Sequence, residues 1–168
     1  MSRSSAPEVQ AQVDGAPIVE LREVTRVYSQ GEVEVEALRG ISLRVAPGEF
    51  TVISGPSGSG KTTLLNLIGA LDRPTRGKVL LEGRDLGPLD RRARSRLRRD
   101  RIGFVFQAYN LMPILTAFEN AETVLALQGV DPAVRRARVE RLLADVGLQG
   151  VEDRLPDALS GGQQQRVA

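Results

Sequence analysis

Gly55-Pro56-Ser57-Gly58-Ser59-Gly60-Lys61-Thr62 constrains the fold more than any other stretch of this 168-residue chain. Before it stands Phe50-Thr51-Val52-Ile53-Ser54, a β-branched, apolar run suited to a buried parallel strand. After it, Leu64, Leu65, Leu67, Ile68 and Leu71 recur at helical spacing over 62–71. The order is therefore strand, glycine loop, helix. A Gly, four residues and then Gly-Lys-Thr in that setting is the spacing of a phosphate-binding loop. Glycines let successive N–H groups curl around an anion, and the positive end of the helix dipole faces it. Lys61 then reaches the β and γ phosphates of a nucleotide, and the Thr62 hydroxyl is placed to ligate Mg²⁺. A mere glycine-rich turn would not need the strand before it and the helix after it.

Other elements follow from periodicity. Residues 18–27 and 33–43 alternate apolar and polar residues and predict strands of an antiparallel layer, with a turn at Ala46-Pro47-Gly48-Glu49 before the loop strand. A strand is expected at 78–81, an arginine-rich helix at 90–101 and a further apolar strand at 102–107. Beyond Pro113 the pattern turns helical, at 116–127 and again at 131–146, where Pro132 follows an Asp131 cap. The arginines of 91–101, interleaved with Asp90 and Asp100, read as a solvated helix face rather than a nucleic-acid patch, since no aromatic cluster accompanies them.

Composition removes several chemistries. No cysteine is present, so disulfides, thiolate metal sites and a cysteine nucleophile are excluded; no histidine is present, which removes the commonest general base. With 23 Lys and Arg against 21 Asp and Glu, the formal charge of +2 gives no reason to expect a polyanion partner. Residues 1–17 lack the apolar core of a secretory signal and are expected to form a disordered tail. No run of about 18 apolar residues occurs, so a membrane role is expected to come through a partner.

A second small-residue helix start lies at Leu159-Ser160-Gly161-Gly162-Gln163, where Ser160 can cap and two glycines allow close approach. Alone, such a segment is as readily an ordinary turn. Together with the phosphate loop it resembles the ABC ATPase family, whose signature motif is Leu-Ser-Gly-Gly-Gln and whose Walker A is the loop above. Two further matches fall in the family's order: Gln107, ending the strand expected at 102–106, with the Q-loop glutamine, and Tyr28, at the end of the first strand, with the aromatic that stacks on adenine. The resemblance covers about 18–168.

The resemblance implies an α/β phosphate-loop fold of ABC ATPase type, with an antiparallel β layer, an incomplete parallel core and an α-helical subdomain. Its expected parts are 18–107 for the β layer and core and 108–168 for the helical subdomain and signature. ATP and Mg²⁺ are the implied ligands. Nucleotide contacts fall to Tyr28, Gly55, Pro56, Ser57, Gly58, Ser59, Gly60, Lys61, Thr62 and Thr63, Mg²⁺ contacts to Thr62 and Gln107, and catalytic roles to Lys61 and Gln107. Ser160, Gly161, Gly162 and Gln163 would meet an ATP held by a second nucleotide-binding domain, in a head-to-tail dimer. The implied partners are that domain, in a homodimer, and an integral membrane permease, with no nucleic acid; the implied location is the cytoplasmic face of the cell membrane.

Residues 29–38, 65–75 and 104–113 look like the bacterial lipoprotein-releasing and macrolide-export branch of the family. A soluble ABC ATPase of DNA repair or translation is the alternative. Among Tyr109, Leu111, Met112, Ile114, Leu115 and Phe118, most are expected to fill the helical subdomain's core, with a few left as an apolar patch for the permease. In the family a strand ending in Asp-Glu and a switch histidine follow the signature; the sequence reaches only Ala168. The chain is therefore expected to be part of a longer protein, inactive by itself.

Overall fold

The computed structural model describes residues 16–31 and 33–168, so the expected tail lies almost wholly outside the described residues. Two compact units are present, one ending at Arg94 and the other beginning at Ser95. The first is built on a four-stranded antiparallel sheet in the order β2-β1-β3-β4: β2 is Val33–Val45, β1 Val19–Gln30, β3 Arg76–Leu81 and β4 Arg84–Asp85. The alternation at 18–27 and 33–43 thus continues into one long hairpin, β1 and β2 pairing from Val19↔Val45 to Gln30↔Val33. Its register shifts between Leu21 and Val24, where Glu23 takes a left-handed φ of 49°. Gly77 of β3 faces this bulge so closely that a β-carbon there would strike the Arg22 and Glu23 carbonyls, which only glycine avoids.

Helix α1, Lys61–Ile68, packs against β2 and β3 and buries Leu64 and Leu67 while Leu65 stays exposed. Those leucines join Leu21, Val24 and Val79 in the core. The expected extension of this helix to Leu71 does not occur. Ala70 adopts a left-handed φ of 54°, and the amides of Leu71 and Asp72 both turn back onto the Asn66 carbonyl, which ends the helix.

The expected strands at 50–54 and 102–107 do not form either: both segments lack strand structure, with Phe50 and Val105 each 91% exposed. A buried parallel strand is made by neighbours on its two edges, and no described segment pairs with either run. Their apolar composition is that of interior strands; their edges are unclaimed.

The division between the units falls within helix α2, Arg91–Arg101, whose start is capped by Asp90 through the Ala93 amide at 2.7 Å. In the second unit, helices α3 (Ala117–Leu127), α4 (Pro132–Asp145) and α5 (Gly161–Val167) gather around Ala117, Val139, Leu143, Leu148 and Leu159. Asp131 caps α4 as expected, accepting from the Ala133 amide at 2.9 Å with Pro132 in the first turn. Helix α3 opens on a reciprocal cap between Thr116 and Glu119, and its Ala117 and Phe118 amides are taken up by the carbonyls of Arg154 and Glu152.

The stretch 109–118 differs from expectation. None of its six large apolar side chains is fully buried, Ile114 is 82% exposed, and only Phe118 packs against the core cluster. Asn120 explains this. Its side-chain amide accepts from the Met112 N–H and donates to the carbonyls of Met112, Leu115 and Thr116, holding the segment as a loop.

Candidate functional site

The glycine loop is closed around its own lysine. Lys61 Nζ donates to the Gly55 carbonyl at 2.9 Å and the Pro56 carbonyl at 2.7 Å, with Ser59 Oγ at 3.4 Å. The curl requires its glycines: Gly58 and Gly60 have φ of 77° and 88°, and a β-carbon at Gly55 would meet Ser59 Oγ at 2.8 Å. Helix α1 begins directly at Lys61, without a side-chain cap or an acidic residue in its first turn. Its positive end is therefore left for an anion. Thr62 is exposed and Thr63 is half-buried. Pro56 and Ser57 lie on the exposed outer curve of the loop.

Gly60 anchors the loop to the sheet, facing the Ala37 carbonyl and the Leu38 side chain in β2. Leu38 pairs with Arg26 of β1, and Val35 with Tyr28. Three residues of strand therefore separate the two positions, about 10 Å.

Tyr28 is 37% exposed and held at its rim, its hydroxyl donating to Asp72 Oδ2 at 2.8 Å. Arg26 Nε donates to the same oxygen at 2.8 Å, and its guanidinium carbon lies 4.2 Å from the centre of the Tyr28 ring. Burial pushes the Asp72 carboxyl up, but the Arg73 amide, the Tyr28 hydroxyl and Arg26 together bring it below its ordinary value, so it stands as an anion. Sequence reasoning missed Asp72 and Arg26. Arg26 and Tyr28 share one face of β1 by their i, i+2 spacing, which was a readable signal; Asp72 arrives from 44 residues away.

The other candidate residues belong to the second unit. Gln107 is exposed in a bend beyond the stacked rings of Phe104 and Phe106, whose centres are 5.7 Å apart. Ser160 caps α5: its hydroxyl accepts from the Gln163 amide at 3.3 Å, and the Gln163 side-chain carbonyl accepts from the Ser160 amide at 2.8 Å. Gly161 and Gly162 form the exposed opening of that helix, and a β-carbon at Gly161 would lie 3.3 Å from the Tyr109 hydroxyl. Among the described residues, no group of three or more His, Cys, Asp or Glu side chains is arranged to hold a metal. No helix among them is long and apolar enough to cross a membrane.

These features have counterparts in known proteins. The macrolide export ATP-binding/permease protein MacB of Marinobacter nauticus is 52% identical over 152 residues, which are 90% of this chain and 24% of that protein. An uncharacterized ABC transporter ATP-binding protein of Thermotoga maritima is 52% identical over 151 residues, 90% of this chain and 64% of its own length. The chain thus spans about a quarter of the first and under two thirds of the second. Among solved structures, the dimeric post-hydrolysis state of the ATP-binding cassette MJ0796 bound to ADP and Pi matches with a TM-score of 0.81 and 44% identity, over 89% of this chain and 66% of that one. Residues 38–168, from the strand against which Gly60 rests to the end of α5, match the ABC transporter family. With the loop, the helix start and the fold all in that family's order, the chain belongs to the ABC transporter family and has the α/β fold of its ATP-binding cassettes.

Proposed function

We propose that the chain is the nucleotide-binding part of an ABC transporter. It binds MgATP and, in the whole protein, couples ATP binding and hydrolysis in a head-to-tail homodimer to motion of a membrane permease of the export or lipoprotein-release type. The observation that carries this reading is the loop of 55–60 wrapped on Lys61 at the uncapped start of α1. An incoming triphosphate offers the ammonium stronger acceptors than the two carbonyls it now holds, while the first-turn amides and the helix dipole add to the attraction. In this reading Thr62 and Gln107 hold Mg²⁺, whose charge offsets that of the phosphates. Thr63 and the loop residues Gly55 to Gly60 contact the phosphates, Tyr28 stacks on the adenine, and Gln107 also orients the attacking water.

The signature residues give the proposed dimer its logic. Ser160, Gly161, Gly162 and Gln163 open a helix whose amides satisfy a γ-phosphate only when a second copy presents them, so ATP stabilises the closed pair and hydrolysis releases it. The MacB relatives, and the dimeric cassette bound to ADP and Pi, support export and pairing. We place the chain at the cytoplasmic face of the membrane, with exposed Tyr109, Met112 and Ile114 turned to the permease.

Binding of MgATP and of inorganic tripolyphosphate to the chain and to Lys61→Ala, measured by calorimetry, tests the carrying observation. The variant should lose at least tenfold in affinity for both ligands, as expected on losing a charged hydrogen bond of about 1.5 to 3 kcal/mol. Unchanged affinity for both would overturn the phosphate-loop reading.

A further inference from the structure

We infer that Asp72, with Arg26, is the positioning residue that fixes Tyr28 as a one-faced platform for the base of the bound nucleotide. The inference rests on the base-stacking role proposed above for Tyr28 and adds the residues that set its orientation.

Three observations carry it. Both Asp72 oxygens are engaged: Oδ2 accepts from the Tyr28 hydroxyl and from Arg26 Nε, each at 2.8 Å, and Oδ1 accepts from the Arg73 amide at 2.7 Å. The phenol is thereby pinned at its far end, where a surface tyrosine would otherwise turn freely. Next, the Arg26 guanidinium lies over one face of the ring, its carbon 4.2 Å from the centre, so only the opposite face is left for a planar ligand.

The third observation is how Asp72 itself is held. Its amide bonds to the Asn66 carbonyl of α1, its carbonyl accepts from Arg94 Nη2 at 2.5 Å, and nearby Thr75 bonds to β1 on both sides of Arg26: its amide donates to the Thr25 carbonyl and its hydroxyl accepts from the Val27 amide. The carboxylate that aims the ring is therefore tied to the end of the helix whose start is the phosphate loop. Base platform and phosphate cradle share one frame.

A pre-set ring avoids the ordering cost of a mobile aromatic side chain, which corresponds to about a fivefold gain in affinity. That gain belongs to ligands with a base and is absent for bare phosphates. The full chain and its Tyr28→Ala, Tyr28→Phe, Asp72→Ala and Tyr28→Phe/Asp72→Ala variants are titrated with MgATP and with magnesium tripolyphosphate. Tyr28→Ala should weaken ATP most. Tyr28→Phe and Asp72→Ala should each weaken ATP about fivefold, the double variant no further than either, and none should change tripolyphosphate affinity. Unaltered ATP affinity in Tyr28→Ala would remove the platform and this inference together. Loss in Tyr28→Ala with none in Tyr28→Phe would leave the platform standing and overturn the positioning role. Equal losses for ATP and tripolyphosphate in Asp72→Ala would overturn it as well, because they mark a disturbed loop. Tyr28→Phe removes a single hydroxyl, so the test survives even if Asp72→Ala does not fold.

Discussion

Gly60, the last glycine of the phosphate loop, stands so close to Ala37 that a β-carbon on it would lie 2.6 Å from the Ala37 carbonyl oxygen and 2.9 Å from a Leu38 methyl group. The neighbour it would meet first is backbone, at the register shift of β2 between Glu36 and Leu38, which are themselves paired with β1, so relief must move main chain rather than the end of a side chain. Gly58, two residues earlier, has a similar φ of 77° but nothing within 4 Å. The two glycines therefore separate backbone conformation from close approach. Gly58→Ala should cost about 1 to 2 kcal/mol, the penalty for a left-handed residue with a side chain. Gly60→Ala should cost clearly more and also weaken nucleotide binding, because relief of the clash must pull the loop away from β2. Urea unfolding of both variants makes the comparison, and equal midpoints would show that the loop does not rest on the sheet.

Asp72 predicts a dependence of stability on pH. Burial raises its carboxyl, but the Arg73 amide, Tyr28 and Arg26 outweigh that and lower it in the folded protein. Arg94 adds a guanidinium on the Asp72 carbonyl. A lowered folded value means that the unfolded chain takes up the proton first. The stabilisation is complete above the ordinary aspartate value near 3.9 and is lost as pH falls through the lowered folded value. Glu20 moves in the same direction: the Arg22 hydrogen bond lowers it most, burial opposes, and Arg44 adds to the lowering. Unfolding midpoints should thus hold steady down to about pH 4.5 and fall below about pH 4, with a shallower fall in Asp72→Asn. A wild-type slope retained in that variant would contradict the assignment.

The local signals in the sequence and the through-space ones fared differently. Asp131 before Pro132, and Ser160 three residues before Gln163, announce helix starts through bonds spanning two or three residues, and both form. The glycine loop was legible for the same reason. The runs 50–54 and 102–107 have strand composition, yet a parallel strand exists only through partners distant in sequence, and they have none among the described residues. Asp72 was unreadable as part of the site because its role depends on reaching Tyr28 across 44 residues. The leucine periodicity of 62–71 overstated α1 because it does not register the backbone reversal at Ala70.

Gly161 allows charge and crowding to be told apart at the proposed dimer contact. A β-carbon there would lie 3.3 Å from the Tyr109 hydroxyl, tight but bordered by a side chain that can shift. Gly161→Ala in the whole protein should therefore keep much of the ATP-driven dimerisation. Gly161→Asp should leave ATP binding to the monomer intact and abolish dimerisation, because its carboxylate confronts the partner-bound γ-phosphate. Sedimentation with ATP in a hydrolysis-blocked background reads the difference; dimers formed equally by Gly161→Asp and the unchanged protein would remove the signature from the interface.

Ser160→Ala removes one bond of the reciprocal cap and should cost about 1 kcal/mol, and Thr116→Ala at the start of α3 a similar amount. The two should differ in where the loss is felt. Helix α5 buries no residue fully, and besides its cap it is held by Val167 against the core cluster and by Gln164 Nε2 donating to the Pro156 and Leu159 carbonyls, so Ser160→Ala should speed amide exchange chiefly in its first turn. Helix α3 is also fixed by the carbonyls of Arg154 and Glu152 and by buried Ala117, so Thr116→Ala should lower the global midpoint without local fraying. Hydrogen exchange on both variants decides it, and identical exchange patterns would contradict the difference in anchoring.

The exposed apolar runs lead to the last prediction. Phe50 and Val105 are each 91% exposed and Val52 72%, an arrangement that leaves large apolar surfaces in water within two segments of strand composition. Strand β1, by contrast, is paired on both edges, with β2 and with β3. Backbone amides in a doubly paired strand exchange only through larger openings, whereas unpaired amides exchange at nearly the rate of a free chain. In this chain the amides of 51–54 and 103–107 should therefore exchange within seconds to minutes, orders of magnitude faster than those of Glu20 and Leu21, which have partners in both neighbouring strands. The same surfaces should bind a dye such as ANS, and single substitutions Phe50→Ser and Val105→Ser should reduce dye binding with little loss of stability, because neither side chain is packed. Slow exchange at 51–54, or a loss of several kcal/mol in either serine variant, would mean that these runs are buried in solution and that a partner strand or a second copy covers them.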